Sequence, residues 1–142
     1  SNHNFYELAL TILSYSKWAN TSRPIICVVD NPEAATQFQS SIKQLSYDYQ
    51  VQAVNAKDFP KTECHVVYFS TTSPQQQQSL IQSYPSRSLL SLSTNNLACE
   101  IGSIFCLYNQ NTLSTFKVNL DALSYSKVHI DPRVLILAKN TE

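Results

Sequence analysis

The chain's single glycine, Gly102, lies between two cysteines in Cys99-Glu100-Ile101-Gly102-Ser103-Ile104-Phe105-Cys106. Short runs rich in β-formers flank Gly102-Ser103, and glycine at the first central position is the signature of a type II′ hairpin turn. With that turn, Ile101 faces Ile104, Glu100 faces Phe105 and Cys99 faces Cys106. Directly opposed residues of an antiparallel pair have α-carbons roughly 4.5–5.5 Å apart, within disulfide range. The segment therefore predicts a bridged hairpin. A loop this short contributes about 2.5 kcal/mol on the chain-entropy model, so the bridge suits local shape better than global stability. One glycine also excludes the glycine-rich phosphate cradles, which need several.

The other two cysteines, Cys27 and Cys64, lie in or beside the apolar runs Ile25-Ile26-Cys27-Val28-Val29 and His65-Val66-Val67-Tyr68-Phe69. Both runs read as buried strands, and adjacent parallel strands could be joined here. That bridge would contribute about 4 kcal/mol; the alternative is a pair of free core cysteines. No two cysteines have C-x-x-C spacing, and His3, His65 and His129 are scattered, which argues against structural zinc and a thioredoxin-like centre. Two bridges would imply an oxidising compartment.

The 142 residues suit a single domain spanning 1–142. Ten basic residues balance ten acidic ones at a charged fraction of 14%. With no Lys/Arg cluster there is no electrostatic footprint for nucleic acid or an anionic membrane. No apolar stretch is long enough to insert in a bilayer. No signal peptide is visible, and in a chain that opens on Ser1 this says little about export.

Helical spacing of Phe5, Leu8, Ala9, Ile12 and Tyr15 predicts a helix over 4–19. A strand at 25–29 follows, then a helix capped by Asn31 with Pro32 at its first position. Strands at 50–54 and 64–70, a helix from Ser73-Pro74 to Tyr84 and a strand at 88–93 come next. The four glutamines at 75–78 read as a solvated helix face. Thereafter the pattern turns antiparallel: the proposed hairpin, a strand at 114–118, a short helix capped by Asn119, and a last helix from Asp131-Pro132. The expected fold is Rossmann-like α/β, a mainly parallel sheet flanked by helices with an antiparallel C-terminal hairpin.

Three segments together carry a resemblance: Cys99 to Cys106, Phe116-Lys-Val-Asn-Leu-Asp-Ala-Leu123, and Ile130-Asp-Pro-Arg-Val-Leu-Ile-Leu-Ala138. With Lys17-Trp18, the Ile-Cys-Val strand and Glu63 to Phe69 upstream, they resemble the YfiR family over nearly the whole chain. The resemblance implies a periplasmic, Rossmann-like protein that tends to dimerise and carries two disulfides at Cys27, Cys64, Cys99 and Cys106. It implies repression of an inner-membrane diguanylate cyclase, YfiN, through its periplasmic part. Sequestration of the repressor by an outer-membrane lipoprotein, YfiB, would release cyclic di-GMP synthesis and biofilm formation.

A binding protein needs anchoring apolar side chains ringed by polar groups. Leu120, Leu123, Ile130, Pro132 and Leu135 are the candidates, in a region the resemblance associates with partner contact; ordinary core packing is the alternative. Phe105, beside the small bridge, is a further candidate anchor, with the same alternative. The bridged hairpin would support this patch, so reduction would relieve repression. Catalysis is not expected: Glu100, Asp121, Asp131 and the histidines form no recognisable acid–base pair or triad. No cofactor is implied. A periplasmic sensor of an amino acid or peptide is the rival reading, favoured if a pocket of several hundred cubic ångströms exists.

Overall fold

The computed structural model describes residues 4–139. Helix α1 spans Phe5–Ser14, and Asn4 caps it by accepting from Glu7 N at 3.0 Å. It ends five residues before the sequence pattern suggests. Ser16–Lys17 leaves the helix as strand β1 and pairs antiparallel with β8, His129–Ile130. Trp18 is pulled inward, its indole N–H donating to His65 O at 3.0 Å. Long-range pairing here overrides local helical spacing.

The parallel layer forms much as its apolar runs predict. Strand β2 is Ile25–Val29, β3 is Gln50–Val54, β4 is Val66–Phe69 and β5 is Leu90–Ser93. Helix α2 (Pro32–Gln44) starts at the Asn31 cap, whose side chain accepts from Ala34 N. Helix α3 (Pro74–Ser83) starts at the Ser73 cap. A 3-10 turn at Phe59–Lys61 precedes β4. Strands β6 (Phe105–Gln110) and β7 (Leu113–Val118) complete the six-stranded sheet in the order β3-β2-β4-β5-β6-β7, with only β7 antiparallel to its neighbour. Helix α4 (Leu120–Tyr125) and helix α5 (Val134–Lys139) follow.

The hairpin expected around Gly102-Ser103 does not form. Phe105 and Cys106 pair in parallel with Leu92 and Ser93 of β5, so that flank of β6 is occupied. Residues 94–104 instead form a loop without strand, in which Cys99 (φ 54°) and Gly102 (φ 90°) adopt left-handed backbone. The antiparallel hairpin of the C-terminal half is β6–β7, which turns where Gln110 meets Leu113. The Cys99–Cys106 bridge still closes, at a Cα–Cα distance of 5.8 Å, but across a loop rather than a hairpin.

Each sheet face has its own core. On one face α1 and α2 pack on the sheet, with Tyr6, Phe38 and Tyr68 in edge-to-face contact along the line Tyr6–Phe38–Tyr68. On the other face Phe59 stacks on Tyr84 among Val29, Val67 and Phe69. The second bridge, Cys27–Cys64, lies in this smaller core and closes 37 residues. Replacing both Cys27 and Cys64 by alanine is expected to lower the unfolding free energy by about 4 kcal/mol. A urea titration by circular dichroism reads this as a lower midpoint; an unchanged midpoint contradicts it.

Candidate functional site

In open α/β sheets, ligands bind where the strand order reverses. Here that point lies between the carboxyl ends of β2 and β4, and it is spanned by a hydrogen bond from Asn31 Nδ2 to Ser70 Oγ at 2.8 Å. A hollow of about 320 Å³ opens elsewhere, between α3 and α4 over the start of β5. Ile81 of α3, Leu89 just before β5, Ile104 and Ala122 give it apolar walls; Arg87, Glu100 and Asp121 put charges among its lining.

The loop 94–104 forms one end of the hollow and is fixed from beneath by a fully buried side chain, Gln77. Its Nε2 donates to Thr72 O and Ser93 Oγ, both at 2.9 Å. Its Oε1 accepts from Ser103 Oγ at 2.8 Å and Asn96 Nδ2 at 3.2 Å. Asn96 in turn donates to Ile101 O at 2.7 Å and accepts from Cys99 N at 3.1 Å. Gln78 accepts from Gly102 N at 2.7 Å, and Ser91 Oγ accepts from Ile104 N at 2.9 Å. The glutamine run is thus only partly a solvated face: Gln75 and Gln76 are exposed, whereas Gln77 is interior and Gln78 is half-buried and holds the loop.

Gly102 is the glycine this arrangement requires. A Cβ there would lie 3.0 Å from Asn96 Nδ2 and Gln77 Oε1 and 3.1 Å from the Pro74 carbonyl, on a backbone already at positive φ. The opposite wall, α4, is fixed at both ends. Asn119 N donates to Ile104 O at 2.8 Å, and Asn119 Oδ1 caps Ala122 N. At the far end Arg87 Nε donates to Tyr125 O at 2.8 Å while its guanidinium lies 4.4 Å from the Tyr125 ring centroid. Ser126 Oγ donates to Leu89 O at 2.9 Å. Lys117 Nζ ties the loop's outer side by donating to Leu97 O at 2.9 Å. Two half-open apolar side chains, Ile101 and Tyr125, each 39% exposed, line this rigid frame.

The six anchor candidates do not meet in one hollow. Phe105 is completely buried, edge-to-face with Phe116 at 5.7 Å, so it is a core residue and offers a partner no surface. Leu123, Ile130 and Leu135 are half-buried against the larger core. Pro132 is exposed, and Leu120 is 63% exposed on the side of α4 away from the hollow's lining. The residues that do line the hollow, Ile101, Tyr125, Arg87 and Gln78, escaped sequence reasoning. The one signal that could have found Ile101 was its place beside the chain's single glycine.

The titratable groups explain themselves structurally. His65 accepts from Ile25 N through Nδ1, and burial pushes its pKa down, partly offset by Glu63. Asp131 Oδ1 accepts from Arg133 N at 2.9 Å, the bond expected of a cap before Pro132, while its carboxylate also holds the Arg133 guanidinium at 2.6 Å; regular α5 opens two residues after Pro132, at Val134. Hydrogen bonds from Arg133 bring the Asp131 pKa down to about 2. Among the described residues no group of three His, Cys, Asp or Glu is placed to hold a metal. His3 lies outside the described residues.

Two substitutions test the frame. Gly102→Ala is expected to destabilise the fold by about 2 kcal/mol through strained backbone and crowding. Gln77→Leu, which removes a hydrogen-bond partner from Thr72 O, Ser93, Asn96 and Ser103 in the interior, is expected to cost about 3 kcal/mol. In both, hydrogen exchange should accelerate first at residues 96–104; exchange that rises uniformly contradicts a local frame.

Cysteines paired across both the sheet core and the C-terminal loop agree with the resemblance carried by the C-terminal segments. A model of the YfiR/HmsC-like family matches residues 6–139, and the chain is a member of that family of periplasmic regulators of cyclic di-GMP signalling.

Proposed function

We propose that the chain is a non-catalytic periplasmic repressor. It binds the periplasmic part of an inner-membrane diguanylate cyclase, YfiN, and holds down cyclic di-GMP synthesis and biofilm formation. Sequestration on the outer-membrane lipoprotein YfiB ends repression. Family membership supports the regulatory class. The single observation that carries the binding surface is the hollow between α3, loop 94–104 and α4, apolar-walled and charge-bearing, with Ile101 and Tyr125 half-open at it. A half-open aromatic beside an apolar residue in a preformed recess is the geometry of an interface anchor site. Leu120, on the outer side of α4, extends the apolar surface beyond it, and Pro132 with the half-buried Leu123, Ile130 and Leu135 forms a more distant part of the same C-terminal region.

A specific observation favours a second reading, a sensor of an amino acid or short peptide. A recess of about 320 Å³ lined by Arg87, Glu100 and Asp121 suits a small zwitterion as well as a partner's side chain. Sensing and repression are compatible if the ligand competes with the cyclase for the recess.

The test is capture of the purified, oxidised chain by the periplasmic domain of its cyclase. The double variant Ile101→Asp, Tyr125→Ala is expected to weaken binding at least about 100-fold, from two anchors each worth more than about 1.4 kcal/mol. Binding unchanged in that variant, with Leu120→Asp abolishing it, would move the surface to the outer side of α4. No capture of the parent chain, with an amino acid or peptide raising its thermal midpoint, would favour the sensor.

The small bridge gives a separate prediction. Cys99 sits where the loop is tied to Asn96, and Cys106 lies in β6, so the bridge fastens the loop to the sheet beside the hollow. Cys99→Ser, Cys106→Ser is expected to keep the fold, because the Gln77 hydrogen bonds remain, yet to weaken capture about tenfold as the loop loosens. Full-strength capture by this variant removes the redox element from the mechanism.

A further inference from the structure

Two walls of the hollow repeat one chemical pattern, a carboxylate beside an apolar side chain. On the loop wall the pair is Glu100-Ile101. Both are exposed, between the buried Cys99 and Gly102, which adopt left-handed backbone at φ 54° and 90°. Side chains hold Cys99 N, Ile101 O and Gly102 N, so this step of the loop is fixed. On the α4 wall Asp121 precedes Ala122, with Tyr125 one helical turn further along. Neither carboxylate has an ion-pair partner among the described residues. The one cation in the lining, Arg87, is already committed: its Nε donates to the Tyr125 carbonyl and its guanidinium faces the Tyr125 ring. Two carboxylates against one guanidinium leave the hollow one net negative charge, over the apolar surface of Ile81, Leu89 and Ile104.

We propose that the occupant of the hollow is a lysine or arginine side chain of the cyclase's periplasmic domain. Its methylene stem lies on the apolar walls, and its cationic head meets Glu100 and Asp121. This rests on the reading of the hollow as the cyclase-binding surface and adds the chemistry of the anchor. Long basic side chains are amphipathic, burying the stem along apolar surface while the head stays among polar groups. The hollow supplies both environments side by side. An apolar anchor would cover two carboxylates and leave them with neither water nor a counter-charge, which is costly. An acidic anchor would set a third carboxylate beside two others. A recess of about 320 Å³ admits a whole side chain. Arg87 holds Tyr125 in place beforehand, so the incoming cation meets a wall already set and has less to order on binding.

The double variant Glu100→Gln, Asp121→Asn keeps the size of both side chains and removes both charges. Its capture by the cyclase's periplasmic domain is expected to be about tenfold weaker than the parent's and less sensitive to salt. Glu33→Gln, at the start of α2 on the opposite face of the sheet, is expected to bind as the parent does. In a scan of the cyclase domain, one Lys→Ala or Arg→Ala substitution is expected to weaken capture of the parent chain and to have little further effect on the double variant. Circular dichroism checks that each variant is folded. Full-strength capture of the double variant, while Ile101→Asp, Tyr125→Ala still loses the partner, overturns the cationic anchor and leaves the hollow as the surface. If that apolar variant also binds at full strength, the hollow is not the surface and the anchor falls with it. A scan that finds no such basic residue overturns the anchor too. In that case, calorimetric binding of 1,5-diaminopentane to the chain alone would assign the hollow to a free diamine instead.

Discussion

The buried side-chain amide of Gln77 is the interaction on which the candidate site depends. A primary amide buried without partners is strongly unfavourable, so it is tolerated only where every donor and acceptor is met. Here Thr72, Ser93, Asn96 and Ser103 meet it, and no buried side-chain polar atom among the described residues is left unpaired. The consequence is a loop with no regular structure that is nevertheless tied by side-chain hydrogen bonds along its length. The loop and its amide explain why the sheet face beneath is polar: Ser93 Oγ accepts from Gln77 and Ser91 Oγ from Ile104 N. Ser91 and Ser93 of β5 are buried where the neighbouring strands bury Val67 and Phe69.

The two disulfides divide stability from shape. Cys27–Cys64 lies inside an apolar cluster and restrains a long segment of the unfolded chain, so its contribution is to the whole fold. Cys99–Cys106 spans seven residues and restrains little of the unfolded chain; it fastens the loop that ends the hollow. Reduction of this bridge would therefore loosen the loop while leaving the sheet in place. That separation is what a regulator needs if its partner surface is to respond without the molecule unfolding.

The sheet and its helices were largely legible because their signals are local. The apolar runs at 25–29 and 66–69 are buried strands, and the Asn31, Ser73 and Asn119 caps stand where helices begin. Both bridges join the expected cysteines, although the hairpin that suggests Cys99–Cys106 does not form and the sequence leaves Cys27 and Cys64 open to being free core thiols. What could not be read is what depends on distant residues. Gly-Ser between β-formers reads as a hairpin locally, but the flank of β6 belongs to β5, and the glycine serves a close approach to Gln77 and Asn96. Phe105 looks like an anchor in one dimension and is interior once β7 places Phe116 against it. The hollow is assembled from α3, the loop and α4, three segments separated along the chain by the strands between them, and no periodicity encodes that meeting.

The most direct test of the account is hydrogen–deuterium exchange of the chain, alone and in complex with its cyclase's periplasmic domain. The account predicts that the partner slows exchange at residues 97–104 and 119–126, the two walls contributed by the loop and α4. Protection confined to other surfaces, with these two segments exchanging as in the free chain, would contradict it.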